Sequence, residues 1–401
     1  MRDFTGPRYR ARHVGGAILA IVAAISLGGM VSSRAEPVRV IPAVAAPAPA
    51  PASAPKKASA QEILSKQAAA LNRGDLGGWL APVAPALRQR YQNLFRTLRA
   101  LDATVDYRAG EGGDVLLTYC FAGPRCPADA PRIAQRPLIK NGQITALGKP
   151  AKPTALQPAP WEQGDLVFAR GRRVTVGAPK ALKNRLKEVV ALADQAAAVD
   201  DRFAAYAGNR QPRYRVFLAT DKLWRTWYGG KATTWAVGYM QPLGPAGADV
   251  VINPRRLTSR TALKEVIQHE LGHVATIGGV STRHEDMWLV EGVAEYVGMQ
   301  PSRADDTYSK GALRRITRLN PPPLRDGAGE KEVSAFYAQG HFAVDCLVTK
   351  FGEARAMEFV RLRLRLGNSL DMASRSVFGM PFRKVDATCV DWISNLVVTR
   401  R

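Results

Sequence analysis

The string His269-Glu270-Leu271-Gly272-His273 restricts the fold of this chain more than any other stretch. On a helix, residues four apart stand one turn apart on the same face, so both imidazoles can reach one metal ion. Glu270 lies beside that face, within reach of a water on such an ion. A zinc ion that does chemistry keeps three protein ligands and an open position. Two histidines therefore leave one ligand to come from elsewhere. The nearby string Trp288-Leu289-Val290-Glu291-Gly292-Val293-Ala294-Glu295-Tyr296 carries two carboxylates four apart. Glu291 is the expected supplier of the third ligand. Glu295, one turn later, is placed to accept a hydrogen bond from the far nitrogen of a ligand histidine and fix its tautomer. An exposed helix glutamate is the alternative for Glu295.

The helical reading has its own support. Leu263, Ile267, Leu271 and Val274 recur at helical spacing. Thr258 or Ser259 can cap the start, and Gly278-Gly279 ends the helix. A second helix is expected from near Asp286 to Gly298. The short loop between them makes the two helices packed neighbours, which brings the glutamates to the histidines.

Together the two strings closely resemble the gluzincin metallopeptidases, which include aminopeptidase-N-like enzymes and bacterial peptidase-MA-like proteins. The resemblance covers roughly the last 240 residues and is specific over the two helices and a short piece downstream. It implies one zinc per chain held by His269, His273 and Glu291, with Glu270 as general base acting on a peptide or protein substrate. Phe336-Tyr337-Ala338-Gln339-Gly340 resembles the tyrosine segment before a long helix in these families. By that match Tyr337 donates to the developing oxyanion, a core tyrosine being the alternative. His341 is expected to pack or face solvent, and His284 to lie in a surface loop. Gly238-Tyr239-Met240-Gln241-Pro242 stands where aminopeptidases of this group carry Gly-x-Met-Glu-Asn. There the glutamate captures a free α-amine; the uncharged Gln241 argues against that activity. The run Asp249-Val250-Val251-Ile252-Asn253-Pro254 is the expected edge strand for an extended peptide, with an ordinary core strand as the alternative.

The 401 residues suffice for two ordinary domains. Residues 1–35 read as a signal peptide or membrane anchor: Arg2, Arg8, Arg10 and Arg12 precede an apolar run from Val14 to about Val31. That expectation makes the protein extracytoplasmic, either secreted or tethered by this segment. Residues 36–58, rich in alanine and proline, form a linker. Residues 59–157 alternate helical and strand patterns and form a small α+β domain. Its opening, Ala68-Ala69-Ala70-Leu71-Asn72-Arg73-Gly74-Asp75-Leu76-Gly77-Gly78-Trp79-Leu80, resembles the start of NTF2-like domains. Residues 158–401 carry the metal motif, with a small sheet first and a mostly helical C-terminal part. The fold class is therefore α+β.

The formal charge of +23 suits anionic partners such as an envelope polymer or a membrane surface. A basic compositional bias is the alternative. Lysine- and arginine-rich runs interleaved with aromatics are absent, which disfavours nucleic acid. The four cysteines suggest disulfides in an exported protein: Cys120 with Cys126 as a local loop, Cys346 with Cys389 as a clamp on the C-terminal helices. Buried free thiols are the alternative. The competing functional reading is a catalytically inactive gluzincin-fold binding protein of the cell envelope.

Overall fold

The computed structural model describes residues 59–398 apart from 122, 164, 231–235, 258, 314 and 326. They fall into two compact units that divide between Asp165 and Leu166. The leading apolar run and the linker expected over 36–58 lie outside the described residues.

In the first unit, Ser59 and Glu62 close a reciprocal capping box at the start of α1 (Ala60–Arg73). Two further helices follow, α2 (Leu76–Leu80) and α3 (Arg88–Ala100). Four strands then form an antiparallel meander: β1 (Thr104–Ala109), β2 (Val115–Cys120), β3 (Arg132–Lys140) and β4 (Gln143–Gly148). Asn141 and Gly142 both take positive φ between β3 and β4, the backbone that a two-residue hairpin turn requires. Trp79, fully buried, packs its ring on Tyr91 and Phe95 and ties α2 to α3. Cys120 and Cys126 are bonded.

The second unit opens with β5 (Leu166–Arg170), β6 (Val174–Pro179), α4 (Leu186–Tyr206), β7 (Tyr214–Leu218) and α5 (Asp221–Trp224). Next come β8 (Gly238–Pro242) and β9 (Ala248–Ile252). The sheet order is β5-β6-β7-β9-β8, with β6, β7 and β9 parallel and β5 and β8 antiparallel at the edges. This corrects the expected edge strand. The run from Asp249 forms β9, which lies inside the sheet, and β8 is the edge. An ion pair holds that order: the Arg215 side chain on β7 donates to Asp249 at 2.6 Å and to the Ala246 and Ala248 carbonyls. The Tyr228 hydroxyl donates to the other Asp249 oxygen at 2.5 Å. This fully buried aspartate is thereby satisfied in the core.

The remainder is helical: α6 (Arg260–Ile277), α7 (Met287–Gly298), α8 (Ser309–Ala312), α9 (Glu330–Phe351), α10 (Glu353–Val360), α11 (Leu370–Phe378) and α12 (Phe382–Val398). Ser59's counterpart here is Ser259, whose hydroxyl accepts from the Ala262 N–H and caps α6. Helices α7 and α9 cross at two glycines, where a Cβ on Gly340 would lie 2.9 Å from the Gly292 Cα. A Cys346–Cys389 bond joins α9 to α12. The molecule is thus α+β, with small sheets and a mostly helical C-terminal part.

The expectation of an extracytoplasmic protein, secreted or membrane-tethered through its N-terminal segment, is corrected in its tethering: among the described residues no helix is long and apolar enough to cross a membrane. The physical reason is visible in α6, α7 and α9, whose buried faces carry carboxylates and imidazoles among the apolar residues.

Candidate metal centre

Helix α6 carries His269, Glu270 and His273, and α7 packs against it with Glu291 and Glu295. Close approach is possible because the contact positions are small. A Cβ on Gly298 would lie 2.9 Å from the His269 Cβ, and one on Gly272 would lie 3.3 Å from Val297. The His269 and His273 Nε2 atoms lie 3.1 Å apart. Glu291 Oε2 is 3.5 Å from the first and 3.4 Å from the second. Ligands at about 2.0–2.1 Å from a tetrahedral ion stand about 3.3–3.4 Å from one another. The three atoms therefore have the mutual spacing of three corners of a zinc tetrahedron. Among the described residues, they are the group of histidine, cysteine and carboxylate side chains that could hold a metal ion.

The surroundings fit a cation. His269, Glu270, His273 and Glu291 are all at most 3% exposed. Neither Glu291 oxygen has a hydrogen-bond partner. A buried ionised carboxylate left so is costly, and a divalent ion removes that cost. The His269 Nδ1 lies 3.0 Å from Glu295 Oε1, so it donates its proton there and leaves the Nε2 lone pair for a metal. The other Glu295 oxygen accepts from the Tyr308 hydroxyl at 2.7 Å. Tyr308 thus holds the carboxylate that orients His269. No local sequence signal marks it, because its segment meets α7 only through the tertiary fold.

Charges in the cluster shift one another. Burial pushes the His269 imidazole down, but the Glu291 and Glu295 carboxylates outweigh it and lift the group to about 10. Burial pushes Glu291 up, and the His273 and His269 imidazoles outweigh that, holding it at about 2. His273 is lowered, chiefly by burial. Glu270 rises to about 8, mainly through burial; His269 opposes the rise, while Glu291 and Glu295 add to it. The Met240 backbone N–H on β8 opposes the rise weakly, and neither carboxylate oxygen has a well-formed hydrogen bond.

Strand β8 runs directly beside Glu270. A Cβ on Gly238 would stand 2.7 Å from Glu270 Oε1, so only glycine leaves the carboxylate its place. Gln241 lies opposite Asp249 and donates its side-chain amide to the Pro242 carbonyl. Tyr337 on α9 is buried and stacks its ring on His269, with centroids 6.1 Å apart and planes 24° from parallel. Burial and then the Glu291 and Glu270 charges push its phenol well above the usual range. His341 is packed: its Nδ1 lies 3.1 Å from the Ser309 hydroxyl, and burial lowers the imidazole to about 4. His284 is exposed in the turn before α7. The expected site residues thus come together around one point, and the two remaining histidines of the described chain stand apart from the ligand set.

No family model matches the chain. No curated protein matches it either. Among solved structures it is similar to a two-domain M1 zinc metallopeptidase mutant bound to L-tryptophan, with a TM-score of 0.33 and 14% identity. That match covers 57% of this chain and 51% of the other, so the chain spans about half the length of that protein. A likeness of this size establishes no shared activity, and the chemistry has to be read from the residues themselves.

Proposed function

We propose that this chain is a zinc-dependent metallopeptidase with Glu270 as general base. One observation carries the reading: three buried ligand atoms stand at tetrahedral spacing, two on α6 and one on α7, and α6 also carries a buried carboxylate that faces an edge strand. When bound, zinc supplies Lewis acidity and makes water a nucleophile near neutral pH. Glu270 takes a proton from the attacking water and passes it to the departing amine. Burial raises the basicity of this carboxyl, and a divalent cation beside it would offset that rise and keep it ionised to accept the proton. Tyr337 keeps its phenol proton at every working pH and donates a hydrogen bond to the oxygen that gains charge. Glu295 and Tyr308 hold His269 in its metal-binding tautomer. The outer edge of β8 offers main-chain groups for pairing with an extended substrate.

Gln241 bears on which bond is cut. It presents no charge to a free α-amine, and the nearby Asp249 is already committed to Arg215 and Tyr228. We therefore expect cleavage of N-terminally blocked peptides at rates comparable to free ones.

Glu270→Gln tests the mechanism. The variant should keep one zinc per chain while hydrolysis falls by about 10²-fold or more, the usual contribution of a positioned base. Hydrolysis at the wild-type rate would place the chemistry elsewhere. Purified protein that takes up no zinc would end the metallopeptidase reading.

A further inference from the structure

The loop between α6 and α7 decides whether Glu291 meets the histidines, yet it has few bonds of its own. Its backbone contributes a Val280-to-Ile277 bond and an Asp286-to-Arg283 bond. The Asn209 amide holds the Val274 and Ala275 carbonyls of α6, and the further side-chain anchors come from the far end of the chain. Directly after α10, residues Arg361–Arg365 wind as a single π-helical turn, closed by a Leu366-to-Arg361 backbone bond. Such turns are rare and are enriched at functional positions.

Two arginines of this turn reach the two helix ends. Arg363, 5% exposed, donates to Asp286 at 2.7 Å, to Glu285 at 2.9 Å and to the Asn368 carbonyl at 2.8 Å. Asp286 is itself 2% exposed and immediately precedes α7. Arg365 donates to the Thr276 carbonyl at 3.3 Å and to the Gly278 carbonyl at 3.0 Å. Those carbonyls end α6 and have no partner further along that helix, so a cation there also suits the negative end of its dipole. In return, Arg283 of the loop donates to the Gly367 carbonyl at 3.1 Å.

We propose that the π-helical turn is a clamp on the metal-binding hairpin: Arg363 fixes the start of α7 and Arg365 the end of α6, which sets the distance from His273 to Glu291. The inference rests on the zinc reading given above. The geometry makes the coupling direct. His273 lies one turn before the α6 end that Arg365 holds, and Glu291 one turn after the α7 start that Arg363 holds. Metal sites tolerate ligand displacements of only about 0.2 Å. A hairpin released at its loop can therefore keep both helices and still lose that match. Arg363 and Arg365 are positioning residues, for neither touches the ligand atoms.

The two arginines should differ in what can replace them. Arg363 uses its planar fork on two carboxylates and a carbonyl, which an ammonium cannot reproduce. Arg365 uses a single nitrogen on two carbonyls, which a lysine can approach. The test measures zinc dissociation constants by chelator competition and the visible spectrum of the cobalt-substituted protein, with circular dichroism as a check on folding. Arg365→Met should weaken zinc binding about 10-fold or more, as loss of an outer support of a metal ligand does. Arg365→Lys should restore it. Arg363→Lys should remain weak and alter the cobalt bands while helix content stays at the wild-type level. Should Arg363→Gln alone fail to fold, pairing it with Asp286→Asn removes both charges together and leaves none buried alone. Folded Arg363 and Arg365 variants with wild-type zinc affinity and cobalt spectrum would overturn the clamp and leave the metallopeptidase reading standing. Wild-type protein that binds no zinc would overturn both.

Discussion

At the scale of single residues, Glu295 and Gly238 separate metal binding from catalysis. Glu295 joins His269 to Tyr308 and touches no ligand position itself. Glu295→Gln keeps the shape but places an amide where two donors converge, so one hydrogen bond is lost. Zinc affinity should fall about 10–100-fold, with Tyr308→Phe falling less, as chelator competition would show. Gly238→Ala acts on the other side. Its methyl overlaps Glu270 Oε1, the mobile end of a side chain, so the carboxylate is displaced and the fold is kept. Peptide hydrolysis should fall about 10-fold or more with zinc content unchanged; a variant that loses zinc instead would show that Glu270 helps to build the metal site. These roles were legible in unequal measure. His269, Glu270 and His273 share one helix and Glu291 and Glu295 another, so placement within each set follows from helical spacing, and the short loop between the helices made their meeting an expectation. Tyr308, Arg363 and Arg365 meet their partners through tertiary contacts, and nothing in their local pattern marks them.

The same contrast governs the elements. The helices around the metal motif, the β3–β4 hairpin and the long helices after Pro323 follow from apolar period and turn residues, which are local. Sheet order is not local. Strands β8 and β9 are both short and buried, and a turn joins them, so either could form the edge. The choice was made by Arg215 pairing with Asp249, which binds β9 to β7. The π-helical turn has no local signature, because it differs from the helix before it by one altered hydrogen bond. Helix α9 shows how an element carries a site. It brings Tyr337 to His269 because its backbone touches α7 at Gly292 and Gly340. A Cβ on Gly340 would lie 2.6 Å from the Trp288 carbonyl oxygen, which is backbone and cannot swing aside. Gly340→Ala should therefore force the helices apart and cost about 1–3 kcal/mol by denaturant unfolding. Hydrolysis should drop as well, since Tyr337 moves with the helix. An alanine variant of unchanged stability would show that α9 can shift freely.

For the whole molecule, the metal centre links stability to pH in only one of the two compact units. In protein stripped of metal, His269 titrates near 10 instead of 6.5, and Glu270 near 8 instead of 4.5. Both folded-state values are raised, so between pH 6.5 and 10 the folded chain holds more protons than the unfolded one. Stability must then fall as pH rises through that window. The groups shifted the other way do not oppose this. His273 and His341 are lowered from 6.5, and Glu291 from 4.5, so their effects are nearly complete by about pH 7.5, one unit above the highest of these values. In the first unit the shifted carboxyls Glu62, Asp114 and Glu162 depart from ordinary values near 4, and burial raises the Tyr91 and Tyr107 phenols from an ordinary value of 10. In that unit no group with a resolved shift changes protonation in either state between about pH 7.5 and 9, the tyrosines entering only as pH nears 10. Calorimetry on chelator-treated protein should thus show one transition that moves to lower temperature between about pH 7.5 and 9 and one that stays. Zinc reverses the first trend, because it replaces the proton on His269 and its own affinity rises with pH as that proton becomes easier to displace. A metal-free transition that holds its temperature across the window would mean that Glu291 and Glu295 do not lie against His269 until the ion arrives, and the preformed centre would have to be abandoned.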